Sequence, residues 1–253
     1  MRSGRRAGVV VAAAILIAAA MVMPARAAAD DTDWRSFSGG IAPGATIEQI
    51  GQDRGFTCTL GLIAGDPASH RLYGITAGHC DRTGDARSPV VHFSEADSPD
   101  VARPLGTYIA SRDTDGSTPT GNDELPLYTD AGVIAMQDGV RIASFKIAGV
   151  YPVRGVVGDR KDLPYGTEVC KYGMRTGETC GPITVASKYT ITAEVRAIHG
   201  DSGSALYRKN NDGTVDVIGL ASNVDDETGT TQFFWVAPVL KALKLQVCGC
   251  GAN

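Results

Sequence analysis

The amino-acid sequence predicts an all-β fold, a sandwich or barrel of short strands with a helix near its end. Eleven short apolar or alternating runs are separated by Gly, Pro, Asn or Asp, with no helical pattern between them. Glycine makes up 31 of the 253 residues, about 12% against a usual share of roughly 7%. Because the glycines show no three-residue period, the excess indicates many tight turns. The eleven runs are 58–64, 71–77, 90–93, 105–110, 131–136, 167–172, 182–187, 191–196, 204–208, 215–222 and 231–237.

Composition and charge exclude several classes of protein. Hydrophobic residues are 43% and charged residues 21% of the chain, which is typical of a globular protein rather than a disordered or fibrous one. The formal net charge of −4 argues against a nucleic-acid partner, because proteins that bind nucleic acids are usually basic. At roughly 150 residues per domain, a chain of this length allows one or two domains.

Residues 1–27 have the pattern of a secretory signal peptide. Three arginines occur among the first six residues, Ala7–Met23 is apolar or small throughout, and Pro24 precedes the A-x-A cleavage pattern at 25–27. The apolar run is at the lower edge of the length of a membrane span, so an uncleaved anchor is the alternative. Cleavage would remove four arginines and no acid, leaving 226 residues with a net charge near −8 and no further span. We therefore expect a secreted, extracellular protein.

The elements after the signal peptide can be assigned in chain order. Residues 28–57 are expected to be an irregular N-terminal arm or a short propeptide, because Gly, Pro and Ser occur there with little periodicity. The domain that follows is 58–250, and a break near 137–165 divides its strands into two comparable halves. The polar stretch Asp97–Asp123 is expected to contain a long surface loop.

One helix is predicted, close to the C-terminus. Pro238 is suited to its first turn, because proline has no backbone N–H to donate there. Its apolar positions are Val239, Leu240, Leu243 and Leu245.

The six cysteines all follow the signal peptide, and an even number in a secreted chain favours disulfides. Six cysteines allow 15 pairings, among which the sequence alone cannot choose. Closeness in sequence suggests 58–80 and 170–180, whereas a 248–250 bridge would close a very small ring. Zinc bound by Cys58, His79 and Cys80 is the alternative, but no CxxC pair supports it, and no metal is expected. The cysteines are Cys58, Cys80, Cys170, Cys180, Cys248 and Cys250.

Two short segments suggest nucleophilic catalysis. Ile75–Cys80 (ITAGHC) places His79 at the end of a predicted strand, and His199–Leu206 (HGDSGSAL) places Ser202 among glycines. A serine hydroxyl needs a base to accept its proton, and histidine is the usual base. The oxyanion of the tetrahedral intermediate needs converging N–H donors, and the backbone of Gly200 and Ser202 is suited to supply them. Either segment alone is more often structural; both together in a secreted all-β chain favour catalysis.

The chain order of a catalytic triad distinguishes classes of serine hydrolase. The α/β-hydrolases have the order Ser, acid, His, which is excluded here because no histidine follows Ser202. The subtilisin order is formally possible with Asp66 before His79, but the helix-poor pattern argues against that fold. The remaining order, His then Asp then Ser, is that of chymotrypsin.

These segments resemble the chymotrypsin-like, or trypsin-family, serine proteases. TAGHC and GDSG are among the specific marks of that family, and Val169–Gly181 (VCKYGMRTGETCG) resembles its secreted actinobacterial branch. The resemblance covers Cys58–Leu245. It implies two six-stranded antiparallel β-barrels with the active site between them. It also implies His79 as general base, Ser202 as nucleophile, and the N–H groups of Gly200 and Ser202 as the oxyanion hole.

The acidic member of the triad is harder to assign, because twelve aspartates lie between His79 and Ser202. Asp130 begins the apolar run DAGVIAM, which resembles the aspartate followed by an aliphatic strand in the family. A carboxylate there would accept the Nδ1–H of the histidine and fix its tautomer. Asp123 and Asp100 are the reserve candidates.

Asp201 precedes the nucleophile as in the family, where the equivalent aspartate forms a buried ion pair that shapes the oxyanion loop. The sequence has no activation N-terminus of the type Ile-Val-Gly-Gly after a basic cleavage site. In the bacterial branch a basic residue just after the corresponding cysteine can serve instead. Here that residue is Lys171, which predicts an ion pair between Lys171 and Asp201.

The substrate-binding residues depart from the family pattern. Arg196, six residues before the nucleophile, would give a basic pocket floor or else point to solvent. Ser222 resembles the serine that begins the substrate-binding strand, but the usual glycines after it are Asn223 and Val224, which would narrow the pocket. The fourth residue of the GDSGS run is Ser204 instead of glycine.

The sequence therefore predicts a secreted serine endopeptidase that hydrolyses peptide or protein substrates. It is expected to be a monomer and to need no cofactor. The alternative is a non-catalytic binding protein of the same fold with an occluded cleft. A zinc-stabilised extracellular module is the third hypothesis.

Overall fold

The structure is a computed structural model, and it describes residues 35–51, 55–114, 121, 123–225 and 227–249. The predicted signal peptide, residues 1–27, and Cys250 lie outside the described residues.

The described part of the chain forms fifteen β-strands and one α-helix. The strands of the first half are β1 (Thr46–Gly51), β2 (Gly55–Thr59), β3 (Leu62–Gly65), β4 (Leu72–Thr76), β5 (Ala86–Glu95), β6 (Ser98–Arg112) and β7 (Ala131–Met136). Those of the second half are β8 (Val153–Val156), β9 (Glu168–Gly173), β10 (Gly177–Ala186), β11 (Thr190–Ala193), β12 (Ala205–Lys209), β13 (Val215–Asp225) and β14 (Thr230–Trp235). The helix α1 (Ala237–Ala242) and the short strand β15 (Gln246–Val247) complete the order. Two 3-10 helices, Gly78–Cys80 and Arg160–Asp162, lie between strands.

The strands form two curved sheets. The first has the order β15-β3-β4-β7-β6-β5-β1-β2 and curls into a half-barrel. The second is a closed barrel of six strands, β12-β9-β10-β11-β14-β13, because β12 also pairs with β13. Strand β8 adds to this barrel as a parallel neighbour of β13. The predicted all-β class is confirmed, although within the described residues hydrogen bonds close a six-stranded barrel in the second half alone.

The predicted N-terminal arm contains a strand that the sequence pattern did not indicate. Strand β1 pairs with β2 and β5, and its inward face carries Ile47 and Gln49. A buried glutamine hides the alternation of apolar and polar residues from which a strand is predicted. The Gln49 amide is nevertheless satisfied, because it donates to Thr83 Oγ1 and Pro89 O and accepts from the Arg82 amide.

The polar stretch 97–123 is also more regular than expected. Strand β6 occupies Ser98–Arg112 and pairs with the equally polar β5 in a long hairpin. Its first half is largely exposed and includes Pro99 and Pro104, so it has the composition of a loop. Regular strand structure therefore continues to Arg112, well into the stretch that was expected to be a loop.

The chain end returns to the first sheet. Helix α1 begins one residue before Pro238 and buries Val239 and Leu240, in agreement with the predicted helix. Strand β15 then pairs with β3. No helix in the described part of the chain has the length and apolar character needed to cross a membrane.

Candidate active site

His79 lies in the 3-10 helix that follows β4, where the chain passes very close to its neighbours. A Cβ atom on Gly78 would lie 2.0 Å from the Arg112 carbonyl oxygen, so glycine is required there. Cys80, which follows His79, forms a disulfide with Cys58 of β2. The glycine and the disulfide together fix the backbone that carries the imidazole.

Asp130, immediately before β7, contacts His79 through both carboxylate oxygens. Oδ1 accepts the His79 amide at 2.9 Å, and Oδ2 lies 2.7 Å from His79 Nδ1. The hydroxyl of Ser222 also donates to Oδ2, at 2.5 Å. Burial of this fully enclosed carboxylate acts to raise its pKa, but the hydrogen bonds and charge of His79 and the bond from Ser222 outweigh burial and lower the pKa. Asp130 is therefore ionised at neutral pH.

The pKa of the His79 imidazole is shifted in the opposite direction, upward. Burial acts to lower its pKa, but the hydrogen bond and charge of Asp130 raise it above the ordinary value, with a smaller contribution from Asp113. Arg82 opposes this rise. Because Nδ1 faces Asp130, Nε2 is the ring atom available toward the cleft.

Ser202 lies in a tight loop before β12. Gly200 and Gly203 on either side have φ angles of +99° and +84°, in the region that favours glycine. Thr59, at the end of β2, fixes this loop from the first sheet, because its amide donates to the Ser202 carbonyl and its hydroxyl donates to the Gly200 carbonyl. The loop of Ser202 in the second half is thus positioned by the first half.

Two amide groups of this loop differ from their neighbours, because the N–H groups of Asp201, Gly203 and Ser204 donate to backbone carbonyls. Within the described residues, the N–H groups of Gly200 and Ser202 donate to no protein acceptor. In the same part of the chain, Ser202 Oγ makes no hydrogen bond, so none joins it to His79 in this structure. Such contacts are often loose without substrate and shorten in the reacting complex.

Asp201 accepts several hydrogen bonds that fix the loop of Ser202. Its carboxylate accepts the amides of Arg175, Thr176 and Ile198 and the hydroxyl of Thr176. Lys171 Nζ lies 3.5 Å from Asp201 Oδ2, and both side chains are fully buried. The lysine also donates to Thr176 Oγ1 and to the Gly177 carbonyl. The structure therefore contains the ion pair that the sequence predicts.

His79 and Ser202 line a common cavity of about 600 Å³. From the first half it is lined by His79, which follows β4, and by Asp113 and Thr114, which follow β6. From the second half it is lined by residues of β13 and β14 and of the loop before β12. Both the histidine and the serine face it, so a peptide bound in the cavity would reach both. The lining residues are His79, Asp113, Thr114, Ile198, His199, Ser202, Ser222, Asn223, Val224 and Gln232.

The predicted substrate-binding residues are not all in this cavity. Ser222, Asn223 and Val224 line it, at a point where the pairing of β13 with β14 shifts register. Arg196 is exposed, and among the described residues it is not part of the lining. Its expected place as a basic pocket floor is therefore not supported, and the solvent-facing alternative fits.

The reserve acids lie apart from His79. The Asp123 carboxylate is exposed, 3.8 Å from the Arg112 guanidinium, and Asp100 lines a separate cavity near Arg35 and His92. The structure therefore brings Asp130, and neither reserve, to the imidazole.

The cysteines follow the pairing suggested by closeness in sequence. Cys58 is bonded to Cys80 and Cys170 to Cys180. Zinc bound by Cys58, His79 and Cys80 is contradicted, because both sulfurs are in a disulfide and His79 Nδ1 is bound to Asp130. The pairing of Cys248 with Cys250, which the sequence left open, involves a residue outside the described part of the chain.

Sequence reasoning missed several residues of the site. Thr59 and Thr176 hold the nucleophile loop, and Asp113 and Gln232 line the cavity, but each occurs in an unremarkable sequence context. His199 was accessible to inference, because it lies three residues before Ser202.

Comparison with solved structures identifies the class of fold. Cellulomonas bogoriensis chymotrypsin matches with 25% identity and a TM-score of 0.55, covering 83% of this chain and 98% of that one. A glutamic-acid-specific serine protease matches with 18% identity and a TM-score of 0.58, covering 82% and 100%. Thermobifida fusca protease A matches with 19% identity and a TM-score of 0.51, covering 82% and 98%. The chain has the fold of the chymotrypsin-like bacterial serine proteases.

Sequence comparison places the chain in a narrower group. Protein Rv1815 of Mycobacterium tuberculosis H37Rv and protein MT1863 of strain CDC 1551, both described as uncharacterized, are each 31% identical over 190 residues. The matched region is 73% of this chain and 74% of each relative. The chain belongs to the family of these two mycobacterial proteins. No family model matches it.

Proposed function

We propose that the protein is a secreted serine endopeptidase, a hydrolase that cleaves peptide bonds through an acyl-enzyme intermediate. The observation that carries the proposal is the arrangement around Asp130. A buried carboxylate accepts the His79 amide, its Nδ1–H and the Ser222 hydroxyl, and the same imidazole lines a cavity with Ser202. This arrangement supports a histidine that acts as a base on a serine in the same cavity.

In the acylation half-reaction, Ser202 Oγ attacks the scissile carbonyl carbon while His79 Nε2 accepts its proton. Asp130 stabilises the imidazolium that forms, because its carboxylate stays ionised. The N–H groups of Gly200 and Ser202 donate to the oxyanion. When the carbon–nitrogen bond breaks, His79 gives the proton to the leaving amine.

In the deacylation half-reaction, a water molecule replaces the amine. His79 accepts a proton from the water as its oxygen attacks the acyl carbonyl carbon, and the same two N–H groups stabilise the second tetrahedral intermediate. Collapse breaks the ester bond, and His79 returns the proton to Ser202 Oγ. The two steps together consume one water and release the carboxylic acid product.

An extracellular location is part of the proposal. The pattern of residues 1–27 and the two disulfides support export, since disulfides persist in oxidising compartments. The Cellulomonas and Thermobifida proteins, by their names a chymotrypsin and a protease, support a peptide substrate. We expect the exported chain to act as a monomer.

A non-catalytic binding protein on the same fold is the second candidate. It is favoured by the exposed Asn223 and by Val224 on the cavity wall, where the family pattern has glycines. It is also favoured by the missing hydrogen bond between Ser202 Oγ and His79 within the described residues.

Active-site labelling separates the two candidates. The exported wild-type protein is treated with a fluorophosphonate probe and analysed by mass spectrometry, with casein hydrolysis measured in parallel. We expect one probe per chain on Ser202, no labelling of Ser202→Ala, and normal labelling of Ser69→Ala, which changes an exposed serine. Folded wild-type protein that neither labels nor hydrolyses casein would overturn the proposal and favour the binding protein.

A further inference from the structure

The cavity beside Ser202 has one acidic residue in its wall. Among its ten lining residues, Asp113 carries the single carboxylate, and none is a lysine or arginine. The remaining side chains are neutral amides, hydroxyls and apolar groups, together with two histidines. A carboxylate in a lining that is otherwise neutral makes the electrostatic potential of the cleft more negative.

Asp113 has no cationic partner in the described part of the chain. Its Oδ1 accepts the amide and, at 3.2 Å, the hydroxyl of Thr114, which fixes the carboxylate locally without neutralising it. The neighbouring Arg112 lies instead 3.8 Å from Asp123. The half-buried Asp113 side chain is thus oriented, charged and available to a ligand.

The charge of Asp113 acts on the pKa of His79, the proposed catalytic base. Three charged groups act on His79: Asp130 and Asp113 raise its pKa, and Arg82 lowers it. His79 and Asp113 line the same cavity, so a substrate bound against the imidazole also lies in the cleft that contains this carboxylate. Ser222, Asn223 and Val224 of β13 line the same cavity. The resemblance to the chymotrypsin-like proteases implies that the acyl side of a peptide binds along this part of the strand.

We propose that Asp113 is a specificity-determining residue that selects peptides with lysine or arginine on the acyl side, two to four residues before the scissile bond. This inference rests on the proposed endopeptidase function. A cationic side chain that crosses the cleft from β13 would meet the carboxylate, whereas a glutamate or aspartate there would be repelled. The acidic charge of the whole exported chain acts in the same direction, because it attracts basic peptides at long range.

The substrate preference is measured with a peptide library in which each of these three positions is varied in turn. We expect wild-type kcat/KM to be on the order of tenfold higher for Lys or Arg than for Glu at one position, as a partly screened ion pair would give. Asp113→Asn should remove this preference while keeping the acceptor for Thr114, and Asp113→Lys should reverse it. Asp138→Asn, an exposed change of equal charge outside the cavity, should leave it intact.

A pH profile supplies a second measurement. Because Asp113 raises the pKa of His79, Asp113→Asn should move the acid limb of kcat/KM to lower pH, and Asp138→Asn should not. The Lys and Arg preference should also weaken at high ionic strength, since the interaction is between partly exposed charges.

The outcomes separate the two proposals. If folded wild-type protein cleaves no peptide and does not react with the fluorophosphonate probe, the endopeptidase function itself fails. If the wild type is labelled and active but shows no basic preference, or if Asp113→Asn keeps that preference, the role of Asp113 alone is wrong.

Discussion

At Asp130, burial and hydrogen bonding act on one carboxylate in opposite directions. Removal from water disfavours the charge, while two donors from His79 and one from Ser222 stabilise it. The lowered pKa means that the hydrogen bonds prevail. A charged group in that position can keep the proton of the neutral imidazole on Nδ1 and leave Nε2 as the base.

Replacing Asp130 with asparagine tests this role. The amide has nearly the same shape but can donate to Nδ1, which would favour the wrong tautomer of His79. We expect kcat to fall on the order of 10⁴-fold with the fold retained. The measurement is kcat on a peptide substrate, with circular dichroism to check folding.

Ser222→Ala is the matched control for Asp130, because it removes one of the three donors and leaves the charge and the tautomer unchanged. Its kcat should fall far less than that of Asp130→Asn. Full activity in a folded Asp130→Asn protein would contradict the assignment of Asp130.

Lys171 gives a second residue-scale prediction, at alkaline pH. Burial lowers its pKa to about 8; Asp201 acts to raise it, while Arg196 and Arg35 act to lower it further. Above about pH 8 the lysine loses its charge, and Asp201 loses the ion pair that helps to fix the loop of Gly200 and Ser202. We expect kcat to decline as pH rises through this value.

The stability of the protein should respond with the opposite sign. Because the pKa of Lys171 is lower in the folded state, the unfolded chain binds more protons between about pH 8 and 10.5, and this group adds stability as pH rises. A decline of kcat without a matching loss in the free energy of unfolding is therefore expected. Lys171→Met should be poorly active at every pH, unlike the exposed Lys241→Met. A flat wild-type profile to pH 10, or a fully active Lys171→Met, would rule out this role.

Single residues differ in how far the sequence predicts them. His79 and Ser202 occur in short local patterns, whereas the Lys171–Asp201 pair was predicted only from the resemblance to the bacterial branch of the family. Asp130 needed the added observation that an apolar strand follows it. Asp113 could not be inferred, because its place in the cleft depends on the path of β6 and on pairing between distant strands.

At the scale of elements, the chain before β1 is part of the core. Ile41 is fully buried, pairs with Ile142 in a parallel bridge, and exchanges backbone hydrogen bonds with Arg141 and Ala143. Tyr172 of β9 packs against Gly44, where a Cβ atom would lie 2.5 Å from the ring. The segment 41–45 therefore connects both halves.

Ile41→Ala should consequently destabilise the protein by about 2–5 kcal/mol, since it leaves a cavity in a packed core. The measurement is the urea midpoint at constant m-value. Ile109→Ala, at a position on β6 that is 46% exposed, is the control and should change stability by less than about 0.5 kcal/mol. Equal midpoints for the two variants would mean that the segment is dispensable, as expected of a propeptide.

Strand β1 and the first half of β6, which the sequence pattern did not predict, share a physical cause. Strand β1 has a glutamine on its buried face, and the first half of β6, before the predicted run 105–110, is largely exposed and contains two prolines, so neither shows the expected alternation. The predicted run 58–64 is divided into β2 and β3 at Gly61, where a Cβ atom would lie 2.2 Å from the Gly203 carbonyl oxygen. That break is imposed by the nucleophile loop of the other half.

At the scale of the whole molecule, strand pattern and motif resemblance were sufficient for the fold class. They could not give the closure of each sheet, because closure depends on which distant strands pair. Strand β12 pairs with β13 and closes the second barrel. In the first sheet, β15 and β2 lie at opposite edges. The composition of the cleft, which lies between the two sheets, is equally a product of the assembled molecule.

The contact between the halves gives the last prediction. Thr59 of β2 is fully buried, and its hydroxyl donates to the Gly200 carbonyl and accepts the Met174 amide.

Thr59→Val keeps the shape but leaves both groups without this partner, which should cost about 1–3 kcal/mol of stability. Because the oxyanion donors act most strongly in the transition state, the looser loop should lower kcat by about tenfold or more with little change in KM. Thr184→Val removes one hydroxyl hydrogen bond of β10 to the Thr192 carbonyl and should leave kcat unchanged. If the two variants had equal kcat, the first half would not be positioning the nucleophile loop.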